Sequence, residues 1–210
     1  MDIVTYIFIV VGTILVSMTL HEAMHAFVSY WLGDDTAKLQ GRLTLNPVKH
    51  IDPFFTILLP LGLAAIGAPV FGGAKPVPFN PDRVKGDEWG AALIAIAGPL
   101  TNFILAFIGF GVWAIIGAPT EGLTGQILST FISVNLGFFI FNMLPIPPLD
   151  GSRVMYALAP EFIRAGMRFI ERFGIIFIFI LVLVASPLLT QLISSISELI
   201  LQLFNQIFRI

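Results

Sequence analysis

Long apolar runs alternate with short charged stretches along the chain. The charged stretches, 33–52 and 72–89, are too short to fold as separate domains. Each apolar run approaches or exceeds the roughly 20 residues that a helix needs to cross hydrocarbon. We therefore expect a single membrane-embedded domain over residues 1–210, an all-α polytopic bundle of transmembrane helices. The apolar runs are 3–32, 54–71, 89–117, 126–144 and 173–193.

The composition supports a membrane protein. Hydrophobic residues make up 57% of the 210 residues and charged residues only 11%, against about 25% charged in soluble domains. The chain has no cysteine, which excludes disulfides and thiolate metal sites. The net charge of −2 does not indicate a partner, and without a basic tract we expect no nucleic-acid partner. The apolar composition makes the lipid bilayer the expected environment.

The last part of the chain differs from the other apolar runs. Pro187 predicts a kink in the run 173–193. Polar residues recur every three or four positions in 191–210. That spacing predicts an amphipathic helix, which lies at the membrane interface or packs on the bundle more often than it spans alone.

The positive charges favour one topology. Basic residues flank the run 54–71 on both sides, and they tend to stay on the cytoplasmic side of short loops. If that run crossed the membrane, the two basic loops would lie on opposite sides. We therefore expect a re-entrant segment, an extracellular N-terminus and cytoplasmic basic loops in a multi-pass protein of the cell membrane; a full extra span is the alternative. The flanking basic residues are Lys38, Arg42, Lys49, Lys75, Arg83 and Lys85.

The first apolar run contains the sequence HEAMH, with two of the three histidines of the chain. Residues four apart share one face of a helix, so His21 and His25 can present ring nitrogens to one ion, with Glu22 beside them. Zinc accepts neutral imidazoles and keeps a position for water in catalytic sites. Glu22 could accept a proton from that water as it attacks a carbonyl. Ionisable groups within hydrocarbon are costly, which favours a functional site over packing.

A third zinc ligand must come from elsewhere in the chain. His50 and several carboxylates are candidates, and Asp150 is favoured by its context, FNMLPIPPLDG, where prolines and Gly151 predict irregular backbone at the end of a membrane run. The re-entrant topology brings Asp150 to the cytoplasmic half, where His21 and His25 also lie. The other carboxylates are Asp52, Asp82, Asp87, Glu88, Glu121, Glu161, Glu171 and Glu198.

HEAMH is followed in order by GRLTLNPVKHIDP, GGAKPVPFNP, AGPLTN and FNMLPIPPLDG. This series resembles the site-2 protease family of intramembrane zinc metalloproteases, in its compact prokaryotic form without a PDZ or CBS domain. The resemblance implies Zn²⁺ held by His21, His25 and Asp150, with Glu22 as the general base. It also implies that Asn102 and Asn142 line the active site, where they orient the peptide or donate to the oxyanion; contact between helices is the alternative for both, and Asn135 is expected to make such a contact.

The resemblance further implies that the substrate is a transmembrane segment of another membrane protein, cut within or near the bilayer. Such a helix must unwind before its carbonyls can react. The region 39–47, with its GRLTL alternation, is expected to be strand-like and to pair with the unwound segment. The alternative function is a zinc transporter or a non-catalytic metal-binding membrane protein, for which facing His or acid pairs along several helices would be expected. The sequence does not decide between a monomer and a homo-oligomer.

Overall fold

The computed structural model describes residues 2–65 and 72–210. Among these residues the regular structure is helical and no strand is found. Short helical turns lie at Pro47–Lys49, Pro53–Leu58 and Pro81–Arg83. The helices are α1 (Ile3–Trp31), α2 (Thr36–Leu39), α3 (Leu59–Ala65), α4 (Asp87–Ile115), α5 (Gly122–Asn142), α6 (Asp150–Leu158), α7 (Glu161–Glu171) and α8 (Gly174–Phe208).

Four of these helices, α1, α4, α5 and α8, are long and apolar enough to cross a membrane. The predicted all-helical, multi-pass architecture is therefore confirmed at this level. The short amphipathic helices α6 and α7 connect α5 to α8. Proline interrupts the hydrogen bonding of two long helices, at Pro99 in α4 and Pro187 in α8.

The amphipathic stretch 191–210 packs on the bundle, one of the two positions expected of it, as the end of a longer helix. α8 continues from Gly174 to Phe208, and its distal part packs against α4 and α5. Phe204 is 1% exposed and lies against Phe110, with ring centroids 5.4 Å apart. The polar residues of this part are spaced so that one apolar face remains continuous, and burial of that face holds the helix on the bundle.

α4 lies at the centre of the bundle, in contact with α1, α5, α6 and α8. The main core lies between α4, α5 and α8, and buries Ala106, Phe110, Ile132, Leu136, Ile140 and Phe204. α4 and α1 run antiparallel, and Lys85 N, just before α4, donates to Leu32 O, just after α1, at 2.9 Å. The chain therefore leaves α1 and enters α4 at the same end of the bundle.

A second core fixes the Pro-rich loop between α5 and α6. Leu149 is buried against Ile178 and Val182 of α8. Gly151 follows the loop, and a Cβ at this position would lie 2.7 Å from Leu144 O and even closer to Met143 O. Because only glycine fits there, the loop can pack tightly on the start of α6, which fixes the position of the preceding residue, Asp150.

The expected re-entrant run 54–71 is described up to residue 65 and again from residue 72; residues 66–71 lie outside the described residues. α3 has only 7 residues. Gly73 N donates to Phe55 O at 3.1 Å, and Thr56 Oγ1 donates to Gly73 O at 2.7 Å. The two described ends of the run therefore lie side by side.

The expected strand-like region 39–47 contains the end of α2, a turn and irregular backbone, without a ladder among the described residues. Thr44 N donates to Arg42 O at 3.0 Å, and Thr44 O lies 2.8 Å from Nε2 of His50. The backbone of Thr44 is thus bonded to nearby groups instead of to a neighbouring strand.

Candidate metal centre

The two histidines of HEAMH lie on one face of α1, as their spacing predicts. His21 is 6% and His25 is 7% exposed, and their ring centroids are 4.7 Å apart in an edge-on arrangement. Their Nε2 atoms are 3.0 Å apart. The helix therefore brings two imidazole nitrogens to one buried point.

The other ring nitrogen of each histidine is hydrogen-bonded to α4. Nδ1 of His25 lies 2.7 Å from the carbonyl oxygen of Ile94, and Nδ1 of His21 lies 2.6 Å from Oδ1 of Asn102. Both partners are acceptors, so each Nδ1 carries a hydrogen. In the neutral form of both rings each Nε2 presents a lone pair toward the other, an arrangement that favours a cation between them.

Asp150 completes a group of three donor residues. Its Oδ2 lies 3.2 Å from Nε2 of His21 and 3.5 Å from Nε2 of His25. Zinc–ligand bonds of 2.0–2.2 Å in a tetrahedron place neighbouring donor atoms about 3.3 Å apart. The three separations fit that value, so this donor set suits zinc with one coordination position left over.

α4 leaves room for an ion beside the two imidazoles. A Cβ added at Gly98 would lie 2.6 Å from Nε2 of His21 and 2.7 Å from Cε1 of His25. A methyl group would therefore overlap the donor atoms, whereas glycine leaves space next to them. A donor set of two Nε2 atoms and one carboxylate oxygen, facing such a space, fits a metal ion.

The position of Asp150 also suits an anion. It is the first residue of α6, where the N-terminal end of the helix dipole favours negative charge. An ionised carboxylate at this position is suited to binding a cation.

Glu22 is half-buried on α1 between the two histidines. Its Oε2 accepts a 3.1 Å hydrogen bond from the backbone N–H of Val77. Val77 lies between Pro76 and Pro78, which have no N–H, and a residue before proline favours extended backbone. The sequence PVP thus presents a single N–H to the carboxylate.

The segment that contains Val77, residues 73–80, is attached to the bundle at both ends. Lys75 N donates to His50 O at 2.9 Å, and Arg42 Nη2 donates to Lys75 O. Asn80 N donates to Oδ2 of Asp34 at 2.7 Å. These bonds hold the extended segment over Glu22.

Two buried charged residues make these attachments. Asp34 is fully buried and also accepts from Ser29 and Thr36. Burial raises the pKa of Asp34, but these hydrogen bonds outweigh it and lower the pKa below its ordinary value. Burial lowers the pKa of Arg42, while the nearby charge of Glu22 acts in the opposite direction. Both side chains remain charged near pH 7.

The remaining predicted residues lie around this group. Asn102 is fully buried in contact with His21, as described above. Asn142 ends α5, and its Nδ2 donates to Phe138 O at 3.0 Å. His50, an alternative third ligand, is bonded to Thr44 O and Arg42 and does not belong to the group of three. Asn135 joins α5 to α4 through Asn102, as expected of a contact between helices.

Sequence reasoning missed three contributors to the site. Gly98 lies within AGPLTN, where a glycine before proline in a helix marks close packing. The carbonyl of Ile94 and the N–H of Val77 are backbone groups, so no residue type identifies them in the sequence. Only the packing of α4 and of segment 73–80 on α1 brings them to the site.

Comparison with known proteins identifies relatives over most of the chain. Residues 8–126 match the family described as Peptidase family M50. "Putative zinc metalloprotease YwhC" of Bacillus subtilis is 45% identical over 209 residues, covering 94% of this chain and 91% of the relative. "Putative zinc metalloprotease Rip2" of Mycolicibacterium smegmatis is 30% identical over 192 residues, covering 89% of this chain and 70% of the relative. No solved structure matches the chain.

Proposed function

The chain belongs to peptidase family M50, the site-2 protease family, and we propose that it is a zinc metalloprotease that cuts membrane proteins within or near their transmembrane segments. One observation carries the proposal. Three donor atoms lie 3.0–3.5 Å apart: Nε2 of His21, Nε2 of His25 and Oδ2 of Asp150. Glu22 lies beside them on α1, a helix long and apolar enough to cross a membrane.

We assign His21, His25 and Asp150 as the zinc ligands. The donor separations, the hydrogen bonds to both Nδ1 atoms and the space at Gly98 support this assignment. Bound there, zinc would polarise the scissile carbonyl and increase the acidity of a water molecule. The chain's own groups fix the imidazoles, supply the negative charge of Asp150 and exclude bulk solvent.

Glu22 is proposed to be the general base. It accepts the proton of the attacking water on a carboxylate oxygen and passes it to the leaving amine. Val77 N–H holds Oε2, which leaves Oε1 for the water and orients the carboxylate. The water needs a route into the bundle, and the buried hydroxyls of Ser17 and Thr19, which have no protein partner among the described residues, support one near His21.

Asn102 and Asn142 are proposed to serve the site in different ways. Oδ1 of Asn102 faces His21 and its Nδ2 faces α5, so its contacts support a role in holding the imidazole. Asn142 lies at the end of α5, just before the loop that leads to Asp150. This place beside the loop supports a role in orienting the peptide or donating to the oxyanion.

The topology proposed from the sequence has support from the fold. α1 ends where α4 begins, and Gly73 N donates to Phe55 O, so the chain returns to its starting level after the run 54–71. A re-entrant segment explains both contacts. With the basic loops in the cytoplasm, the N-terminus lies outside and the site opens toward the cytoplasmic side.

The substrate is proposed to bind as an extended strand beside residues 43–45. The backbone of Thr44 is bonded inward, to Arg42 and His50, whereas the backbone groups of Leu43 and Leu45 make no hydrogen bond among the described residues. Binding would open the turn that the bond from Thr44 N to Arg42 O closes at Leu43, and in the extended backbone that results the groups of alternate residues face the same edge. Leu43 and Leu45 can therefore pair with an unwound transmembrane segment.

Zinc content and cleavage of a single-span membrane protein in detergent test this function. Glu22→Gln should retain zinc and lose cleavage, because the ligands remain and the base is removed. Asp150→Ala should lose zinc as well. Glu198→Gln, an exposed carboxylate change on α8, is the matched control and should alter neither.

Other outcomes would contradict the roles assigned to Glu22 and Asp150. Cleavage by Glu22→Gln would remove the general-base role, whereas zinc binding without cleavage by the wild type would favour the zinc transporter or non-catalytic metal-binding alternative. Full zinc content in Asp150→Ala would exclude Asp150 as a ligand.

A further inference from the structure

Two buried asparagines connect α5 to the metal site. Asn135 and Asn102 are both fully buried. Nδ2 of Asn135 donates to Phe131 O at 2.8 Å, and Nδ2 of Asn102 donates to Oδ1 of Asn135 at 2.9 Å. Oδ1 of Asn102 then lies 2.6 Å from Nδ1 of His21. The chain of contacts runs from a backbone carbonyl to an imidazole.

The hydrogen bond from Asn135 to Phe131 O determines which group donates and which accepts in the two contacts that follow. A backbone carbonyl can only accept, so the amide of Asn135 must direct Nδ2 toward Phe131 and Oδ1 toward Asn102. Nδ2 of Asn102 is therefore the group that faces Asn135, with Ser17 O as a second acceptor at 3.4 Å. The acceptor Oδ1 is left for His21, and Nδ1 of His21 must carry the hydrogen.

We propose that Asn135 is a positioning residue that sets the tautomer of His21 through Asn102. The proposal rests on the proposed function, in which Nε2 of His21 binds zinc. If Asn102 rotated its amide by half a turn, Nδ2 would donate to Nδ1 of His21 and the hydrogen would move to Nε2. The lone pair needed by the metal would then be lost. Asn135 is the stronger barrier to that rotation, because it would place two carbonyl oxygens in contact at a position where Nδ2 now donates at 2.9 Å; Ser17 O, at 3.4 Å, opposes it less.

His25 provides an internal reference for this role. Its Nδ1 faces the backbone carbonyl of Ile94, which cannot reverse its polarity. The tautomer of His25 therefore does not depend on any amide side chain. His21 alone of the two needs a partner whose orientation is fixed from a distance, so a change at Asn135 should affect His21 and spare His25.

The test measures the tautomers directly. ¹⁵N NMR of histidine-labelled, metal-free protein in detergent reports which ring nitrogen carries the hydrogen, and Zn²⁺ titration gives the affinity. Asn135→Ala should move part of the His21 population to the Nε2–H form, leave His25 unchanged and weaken zinc binding by about 10- to 100-fold. Asn135→Val fills the space with an apolar side chain and should do the same if the alanine variant does not fold.

A rescue variant separates this role from packing. An aspartate at position 102 is a pure acceptor, so the double change Asn102→Asp with Asn135→Ala should restore Nδ1–H on His21 and most of the zinc affinity. A contact that only stabilises the helices would not be restored in this way. Asn205→Ala, an amide truncation on α8, is the matched control and should leave both tautomers and zinc affinity unchanged.

The proposal would be overturned if Asn135→Ala left the tautomer of His21 unchanged, or if the aspartate failed to restore it. Failure of the proposed function is a different result. If the wild type bound no zinc and cut no substrate, the tautomer measurement on the metal-free protein would still decide the role of Asn135.

Discussion

The backbone N–H of Val77 donates a 3.1 Å hydrogen bond to Oε2 of Glu22. It connects the extended segment 73–80 to the centre of HEAMH, and the neighbouring prolines leave it without a competing donor on either side. The orientation of the carboxylate thus depends on a backbone group from a distant part of the chain.

Val77→Pro should therefore reduce kcat. Proline removes this N–H and retains the extended backbone, so Glu22 loses its fixed orientation while the zinc ligands are unaffected. We expect about a tenfold loss, a fraction of the 10²–10⁴ that a general base contributes. Cleavage and zinc content are the measurements. Val77→Ala keeps the N–H and should retain wild-type kcat, and equal activity in the two variants would contradict the role of this bond.

Gly98→Ala should prevent metal binding. The added methyl group would lie 2.6 Å from Nε2 of His21, where the ion needs space. We expect zinc affinity to fall at least tenfold and cleavage to be lost, with the helical content retained because alanine favours helix. Calorimetric titration with Zn²⁺ measures the first effect.

The matched control for Gly98 is Gly137→Ala on α5, where an added Cβ meets no atom within 4 Å. This variant should bind zinc and cut substrate as the wild type does. Wild-type zinc affinity in Gly98→Ala would show that the ion lies elsewhere.

Asp34→Asn should destabilise the protein in a pH-dependent manner. The folded pKa of Asp34 is lowered, so its contribution is present above the unfolded value of about 3.9 and is lost as the pH falls through the folded pKa. Near pH 7 we expect the free energy of unfolding to fall by about 1–3 kcal/mol, the usual cost of weakening hydrogen bonds to a buried charge. Below about pH 4 the free energies of unfolding of Asp34→Asn and wild type should become more similar.

Thermal unfolding of the metal-free protein in detergent measures this effect without a contribution from zinc loss. Asp35→Asn is the control, because Asp35 pairs with Arg83 at a half-exposed position and such pairs contribute little. A difference between Asp34→Asn and wild type that stayed constant from pH 7 to pH 3 would contradict the lowered pKa.

Labelling of single cysteines should reveal the topology. The chain has no cysteine, so each introduced thiol is unique. Lys49→Cys and Lys75→Cys flank the run 54–71 and should react with an impermeant maleimide from the cytoplasmic side. Thr120→Cys, between α4 and α5, should react from the opposite side; all three positions are exposed. Labelling of Lys49→Cys and Lys75→Cys from opposite sides would show that the run crosses the membrane.

Much of the candidate site could be predicted because its central elements are local. Hydropathy is a sum over neighbouring residues, so the four membrane-capable helices follow from composition along the chain. His21 and His25 share a helix face whatever surrounds α1. The extent of α8 was not predictable in the same way, because its polar positions are compatible with an interfacial helix until the packing of Phe204 is known.

The sequence by itself determined the membrane character of this protein, its main helices and the chemistry of HEAMH, because hydropathy and helical spacing act over a few residues. The tertiary structure decided which groups complete the site. Packing of α4 on α1 placed Gly98 and Asn102 against the imidazoles, and the loop held by α8 brought Asp150 to them. These contacts join residues far apart in the chain, and only the shapes and hydrogen-bonding directions of the packed helices select them.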